Sequence, residues 1–147
     1  MPTPKWYFPV VVLALLWNLL GCAAYLADVM VSPEALAKMP AEQQALHAAR
    51  PAWAVAATAT AVWFGAAGCI ALLLRRRWAA PLLALSLAGI AVQEFALFVF
   101  ARDLVRPKPP VFILQALVLA VGVALLALAR NASARGWMKA PPQAQPA

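Results

Sequence analysis

At 147 residues the chain is long enough for one domain, but 65% hydrophobic residues and a mean hydropathy of +0.80 exceed what a soluble core of this size needs. The formal charge of +7 could suit nucleic acid, yet the basic residues lie at the ends of apolar runs instead of forming a patch with exposed aromatics. The composition therefore excludes an ordinary soluble domain. It favours a protein surrounded by membrane lipids, with no nucleic-acid partner.

Four apolar runs each reach the length of about 20 residues that a membrane-spanning helix needs. They cover residues 7–27, 52–74, 79–100 and 111–129. None alternates with a period of two, so helices are favoured over barrel strands. The predicted fold class is all-α: a polytopic membrane protein with four transmembrane helices in two antiparallel hairpins, forming one domain over residues 1–130. Residues 131–147, rich in Pro, Ala and Gln, are predicted to be a disordered cytoplasmic tail.

The first run has two interpretations. Leu19-Leu20-Gly21-Cys22 resembles a lipoprotein cleavage site, which would make the run a leader. However, Trp17 and Asn18 interrupt the apolar region, and it continues past the cysteine, so a retained helix is preferred. That helix has a small or polar stripe at three-to-four spacing, formed by Ala14, Asn18, Gly21, Cys22 and Tyr25. Such a stripe suits close contact with another helix.

The segment 28–51 is predicted to lie outside the membrane and to be partly helical. Ser32-Pro33-Glu34 is typical of a helix start, with a capping serine, a proline at the first position and an acid in the first turn. Pro40 should end that helix and could begin another, which is weakly amphipathic up to Arg50. We expect a cap on the outer rim of the bundle. A lid or a docking surface is the alternative.

The second run carries small residues at four-residue spacing and ends in three arginines. Ala57, Ala61, Gly65 and Cys69 form the row, which is typical of close helix packing. Placing Arg75-Arg76-Arg77 in the cytoplasm gives that side seven basic residues and no acid, against five basic and four acidic residues on the other. By the positive-inside rule both termini are predicted to be cytoplasmic, and 28–51 periplasmic.

The candidate site consists of polar side chains within or beside the apolar runs. Glu94 is the one acid inside such a run, and an intramembrane carboxylate is by default a functional hypothesis. The other members are Gln93, Asn18, Gln115 and Arg102. Arg102 could reach back to Glu94 because helical side chains lean toward the N-terminus. Three interpretations stay open: a structural ion pair, a proton or solute site, and a contact with another protein.

The residue types that most enzymes need are sparse. His47 is the single histidine and lies alone in a loop segment, so a histidine-rich metal site cannot form, and the sequence shows no Ser-His-acid motif, Cys-x-x-Cys pair or Gly-rich phosphate loop. Cys22 and Cys69 are predicted to lie about 17 Å apart in depth. A disulfide needs Cα atoms within about 7 Å, so none is expected. We predict no enzyme, no cofactor and no metal.

Several short stretches resemble a group of small uncharacterised bacterial four-helix inner-membrane proteins that are often automatically labelled "sugar transporter". They are Trp17-Asn18-Leu19-Leu20-Gly21, Ser32-Pro33-Glu34, Pro51-Ala52-Trp53, residues 72–76, Ser86-Leu87 and Val92-Gln93. The resemblance covers roughly residues 6 to 100. It implies a multi-pass protein of the bacterial inner membrane and assigns no role to any residue.

Two functional hypotheses follow. In the first, the chain is a transport-related unit that acts as an oligomer, because four thin helices hardly enclose a pathway, and its polar site lies in the periplasmic half. In the second, it is an accessory or scaffold subunit that packs against a larger membrane complex through its rows of small residues.

Overall fold

The computed structural model describes residues 3–103 and 108–139, which contain helices as their only regular secondary structure. The helices are α1 (Tyr7–Val29), α2 (Pro33–Ala37), α3 (Ala41–Ala49), α4 (Ala52–Leu73), α5 (Ala79–Phe95) and α6 (Pro109–Ala134). One π-helical turn, Ala96–Phe100, continues α5. Within the described residues, α1, α4, α5 with its π turn, and α6 are long and apolar enough to cross a membrane. The all-α class and the four candidate spans are confirmed.

Helix α6 ends later than its apolar run. It continues to Ala134, and Gly136, with φ +73°, then provides the left-handed residue of a Schellman motif. In that motif the Trp137 N–H donates to Ala132 O at 2.9 Å. Trp137 and Met138 are buried, so residues 131–139 differ from the predicted disordered tail, and residues 140–147 lie outside the described residues. The discrepancy arises because the helix stop depends on Gly136, not on the place where apolarity ends.

The connection between α1 and α4 folds as its prolines indicate. Ser32 caps α2 by accepting a hydrogen bond from Ala35 N at 3.1 Å, which confirms the predicted helix start. Pro40 separates α2 from α3. At the far end of α3, Arg50 forms an ion pair with Asp28 at the end of α1. Helix α3 is thereby tied to the bundle.

Small residues bring the long helices together in the order α1, α4, α5 and α6. At Gly89 of α5, an added Cβ would lie 2.7 Å from both Ala57 O and Ala61 N of α4. Such an approach leaves no room for a side chain. An added Cβ at Gly68 of α4 would lie 2.6 Å from side-chain carbons of Leu83, so residues later in α4 meet residues earlier in α5. The row of small residues on α4 is therefore used inside the molecule.

One end of the bundle, which we call the closed end, is held by Tyr7, Leu72, Arg75 and Trp137. Tyr7 Oη donates to Leu72 O at 2.8 Å, and the Tyr7 and Trp137 rings pack edge to face. Arg75 adopts φ +56° at the end of α4, a left-handed conformation that glycine usually occupies. Its Nε donates to Trp137 O at 2.6 Å, and Lys139 N donates to Arg75 O at 2.7 Å. The C-terminal segment thus joins α1, α4 and α6.

Apolar side chains cover the outer faces of α1 and α6. Leu13, Leu16 and Ile113 are 67%, 57% and 70% exposed. Isolated exposed leucines are ordinary on soluble proteins, but contiguous apolar faces of this extent are not. These surfaces are what a multi-pass membrane protein presents to acyl chains.

Candidate functional site

A cleft of about 310 Å³ separates α1 from α6 beyond the closed end. Its walls are formed by apolar residues of α1 and α6, among them Leu20, Val118 and Val121. Its floor is formed by α4 and α5, where Ser86 and Gln93 are polar, and Asn18 of α1 joins them. The cleft is therefore a largely apolar space with a small polar floor, which is the usual composition of a small-molecule site.

Two of the polar floor residues meet over Gly65. Asn18 Nδ2 donates to Ala14 O of its own helix at 2.8 Å and contacts Cys69 Sγ at 3.5 Å. Asn18 Oδ1 lies directly over Gly65, where any side chain would collide with it. Ser86 Oγ, which donates to Ala61 O at 2.6 Å, would lie 3.1 Å from a Cβ at the same position. Gly65 thus makes room for polar groups from both neighbouring helices.

Gln93 forms the end of the floor and contacts α6. Its Nε2 donates to Gln115 Oε1 at 3.3 Å, so two of the predicted site residues meet across the α5–α6 contact. Gln93 also borders a second cavity of about 150 Å³. The second cavity lies under α3, and its lining includes Arg50, Thr58 and Phe100. One amide side chain therefore touches both cavities.

Glu94 lines neither cavity. Helical spacing places it on the face of Leu87, which lies against Gly122 of α6. Glu94 Oε1 is buried, and no described residue donates a hydrogen bond to it. Arg102, the partner considered for Glu94, instead lies 3.8 Å from Asp103, with both side chains exposed. The structure thus brings Asn18 and Gln93 to the cleft and bonds Gln115 to Gln93 from α6, and it leaves Glu94 and Arg102 outside the cleft lining.

Three features of the site were missed by the sequence prediction. Ser86 lies in the floor, and the available signal was its position on the same helical face as Gln93. Gly65 was interpreted only as a helix-packing residue, although its lack of a side chain also makes room for the Asn18 side chain. The π turn at Ala96–Phe100, closed by a bond from Ala101 N to Ala96 O at 2.9 Å, begins two residues after Glu94. Its apolar sequence contains no signal for a π turn.

The chemistry of the cleft is that of binding. Its described lining residues provide hydroxyl and amide groups but no titratable side chain, so they can donate and accept hydrogen bonds without acid–base chemistry. Within the described residues, no group of three or more His, Cys, Asp or Glu could hold a metal ion. Cys22 and Cys69 are free thiols.

Comparisons with protein-family models, curated proteins and solved structures gave no match for this chain.

Proposed function

We propose that the chain is a small transport-related membrane protein that binds neutral amphiphilic molecules in the cleft between α1 and α6. The observation that carries the proposal is the cleft itself, an apolar space whose polar groups are all uncharged. Its volume of about 310 Å³ is at the lower end of the range for ligand pockets. A molecule with an apolar body and a neutral hydrogen-bonding head matches both parts of the lining.

The charge of a ligand decides whether it suits this site. An ion transferred into a largely apolar cleft would lose hydration that Asn18, Ser86 and Gln93 cannot replace. A heavily hydroxylated solute would leave most of its hydroxyls without partners, because the polar floor is small. A neutral amphiphile loses the least hydration and leaves the fewest hydrogen-bonding groups unpaired when it enters the cleft.

The proposed setting is the bacterial inner membrane, with two antiparallel hairpins, both termini in the cytoplasm and residues 28–51 in the periplasm. The support is the count of basic residues on the two sides and the resemblance to small bacterial four-helix inner-membrane proteins. In this setting Gln93 lies in the periplasmic half, while Asn18 and Ser86 lie near the middle of their helices. A fusion reporter at each terminus tests the arrangement.

The alternative, an accessory or scaffold subunit, is favoured by one surface. The row Ala116, Ala120 and Ala124 of α6 is exposed, as a helix-contact surface toward another chain would be. The corresponding row of α4 is already occupied by α1 and α5. Crosslinking in the membrane distinguishes the hypotheses: an oligomer of this chain agrees with the transport unit, and capture of one defined larger complex agrees with the scaffold.

Filling the cleft tests the proposed binding function. In Val118→Phe the new ring would occupy the cleft, whereas in the matched control Leu117→Phe it would face lipid, since Leu117 is 47% exposed and does not line the cleft. Each protein in lipid nanodiscs is heated with a series of straight-chain 1-alkanols as probes. A ligand at 100 times its Kd stabilises the folded state by about 2.7 kcal/mol.

We expect the unfolding temperature of the original protein and of Leu117→Phe to rise relative to that of Val118→Phe. The rise should grow with alkanol length until the chain fills the cleft. General effects of alkanols on the bilayer cancel when the three unfolding temperatures are compared, because all three proteins are in the same lipid. Equal responses from Val118→Phe and Leu117→Phe would show that the cleft does not bind the probes.

A further inference from the structure

We propose that the cleft and the second cavity form one path from the bilayer to the aqueous side on which α2 and α3 lie, with Gln93 as the junction. This inference rests on the proposed function and specifies it. The protein would transfer neutral amphiphiles between the acyl chains and the water on that side. Three observations carry the inference: the shared wall, the different openings of the two cavities, and the π turn.

The shared wall is a single side chain. Gln93 is the one described residue that lines both cavities, and its amide is bonded to Gln115 at 3.3 Å. A bond of this length is slightly longer than the usual N–H···O range of about 2.7–3.2 Å and is therefore weak. Rotation of the Gln93 side chain would exchange that bond for one to a passing ligand and would join the two spaces. The amide pair is thus suited to open at a small cost, because only this one weak bond is lost from Gln115 Oε1.

The two cavities open to different surroundings. The cleft lies between the lipid-facing helices α1 and α6, so its open side meets acyl chains. The second cavity lies at the opposite end of α4 from the closed end, between α3 and the start of α4, where Arg50 and Pro51 form part of its wall. Arg50 is ion-paired with the exposed Asp28, which places this wall beside water. A molecule that passes Gln93 therefore moves from lipid toward water.

The π turn shapes the second cavity. Ala96, Leu97 and Phe100 of this turn line it, and the turn begins only three residues after Gln93. Single π turns within α-helices occur frequently at functional sites, because the extra residue changes the direction of the side chains that follow. Here it turns apolar side chains toward the space beneath α3. The wall beyond the junction is thereby apolar enough for the body of an amphiphile.

Thiol labelling tests the path independently of any transported molecule. Single cysteines are introduced into the Cys22→Ala/Cys69→Ala protein and exposed to a membrane-impermeant thiosulfonate in vesicles of known orientation. Lys38→Cys and Arg77→Cys, both at exposed positions, mark the two sides. Thr58→Cys reports the second cavity, and Thr60→Cys is its matched control, since both hydroxyls bond a carbonyl four residues back but only Thr58 lines the cavity.

Gln93 is tested with a reporter in the cleft. Val118→Cys lines the cleft, and Leu117→Cys beside it faces lipid. We expect Gln93→Ala to speed labelling of Val118→Cys from the Lys38 side and to leave Leu117→Cys unchanged. Gln115→Leu, which only releases Gln93, should speed it by at most about five-fold, because five-fold corresponds to one typical side-chain hydrogen bond and this bond is long.

The outcomes separate this inference from the proposed function. Faster labelling of Thr58→Cys than of Thr60→Cys, together with a response of Val118→Cys to Gln93→Ala, supports the path. If Thr58→Cys reacts no faster than Thr60→Cys, or if Gln93→Ala leaves Val118→Cys unchanged, the path is wrong even where alkanols bind in the cleft. If alkanols do not bind but the labelling pattern holds, the path stands and the ligand class is wrong.

Discussion

The two ends of the bundle are built differently. At the closed end, Tyr7, Arg75 and Trp137 connect three helices through rings and hydrogen bonds. Toward the other end, α1 and α6 border an open cleft, and Gln93 and Gln115 are joined by a bond of 3.3 Å. The strained φ of Arg75 persists because its side chain and its carbonyl both bond the C-terminal segment.

This difference indicates where stability is concentrated. Buried aromatic contacts and short hydrogen bonds stabilise the closed end, while cavities at the other end lack those packing contacts. A molecule that must admit a ligand needs one region that can rearrange and another that keeps the helices together. The predictions below therefore compare substitutions at the closed end with substitutions along the rest of the bundle.

The largest expected effect is that of Trp137→Ala. Trp137 is 7% exposed and contacts the rings of Trp6 and Tyr7. Truncation should lower the free energy of unfolding by about 3–5 kcal/mol, the usual range for a buried tryptophan. Denaturant titration in mixed micelles measures it, with Trp63→Ala as control, because Trp63 is 46% exposed. Similar losses in the two variants would contradict the closed end as the main source of stability.

Gly89→Ala should be next in size. The new Cβ would lie 2.7 Å from backbone atoms of Ala57 and Ala61, which cannot move without separating α4 from α5. We expect a loss of about 3 kcal/mol, the upper part of the range for overpacking. In the control Gly21→Ala, the added methyl meets only a methyl of Val62 at 3.2 Å. A loss in the control as large as that in Gly89→Ala would show that the α4–α5 contact is no tighter than the α1–α4 contact.

The long helices could be predicted from the sequence because each is an apolar run of spanning length. Helix α2 could be predicted because Ser32 and Pro33 are a specific signal for a helix start. The end of α6 was misplaced because the apolar run stops before the helix does, and Gly136 sets the end. The fold of the C-terminal segment was not predictable. Its partner is Arg75, more than sixty residues away, in a backbone conformation that arginine rarely adopts.

The site could be predicted only in part, for a related reason. Composition and helical spacing identify Asn18, Gln93 and Gln115 as polar residues in apolar runs. Spacing along one helix cannot show that α1 and α6 separate, so the cleft and its lining do not follow from the sequence. The reach of Arg102 toward Glu94 was allowed by geometry along α5, but the π turn after Glu94 changes that geometry and Arg102 is exposed.

Glu94→Leu should stabilise the protein. Because Glu94 Oε1 is buried and receives no hydrogen bond from the described residues, its removal should raise the free energy of unfolding by about 1–2 kcal/mol. The control Gln93→Leu removes a bonded amide and should not stabilise. A loss of stability in Glu94→Leu would show that Glu94 has a partner in the membrane. In that case Glu94→Gln, which keeps the shape and removes the charge, tests whether the charge is required.

The smallest expected effect is that of Tyr7→Phe. It keeps the ring contact with Trp137 and removes the hydroxyl that donates to Leu72 O at 2.8 Å, so the loss should be about 1 kcal/mol. Tyr25→Phe is the control, because no described residue bonds the Tyr25 hydroxyl, and it should change stability little. Stability is measured by denaturant titration, and cleft binding by the alkanol series. If Tyr7→Phe weakened alkanol binding as well as stability, the closed end would also set the width of the cleft, and the two ends would act as one unit.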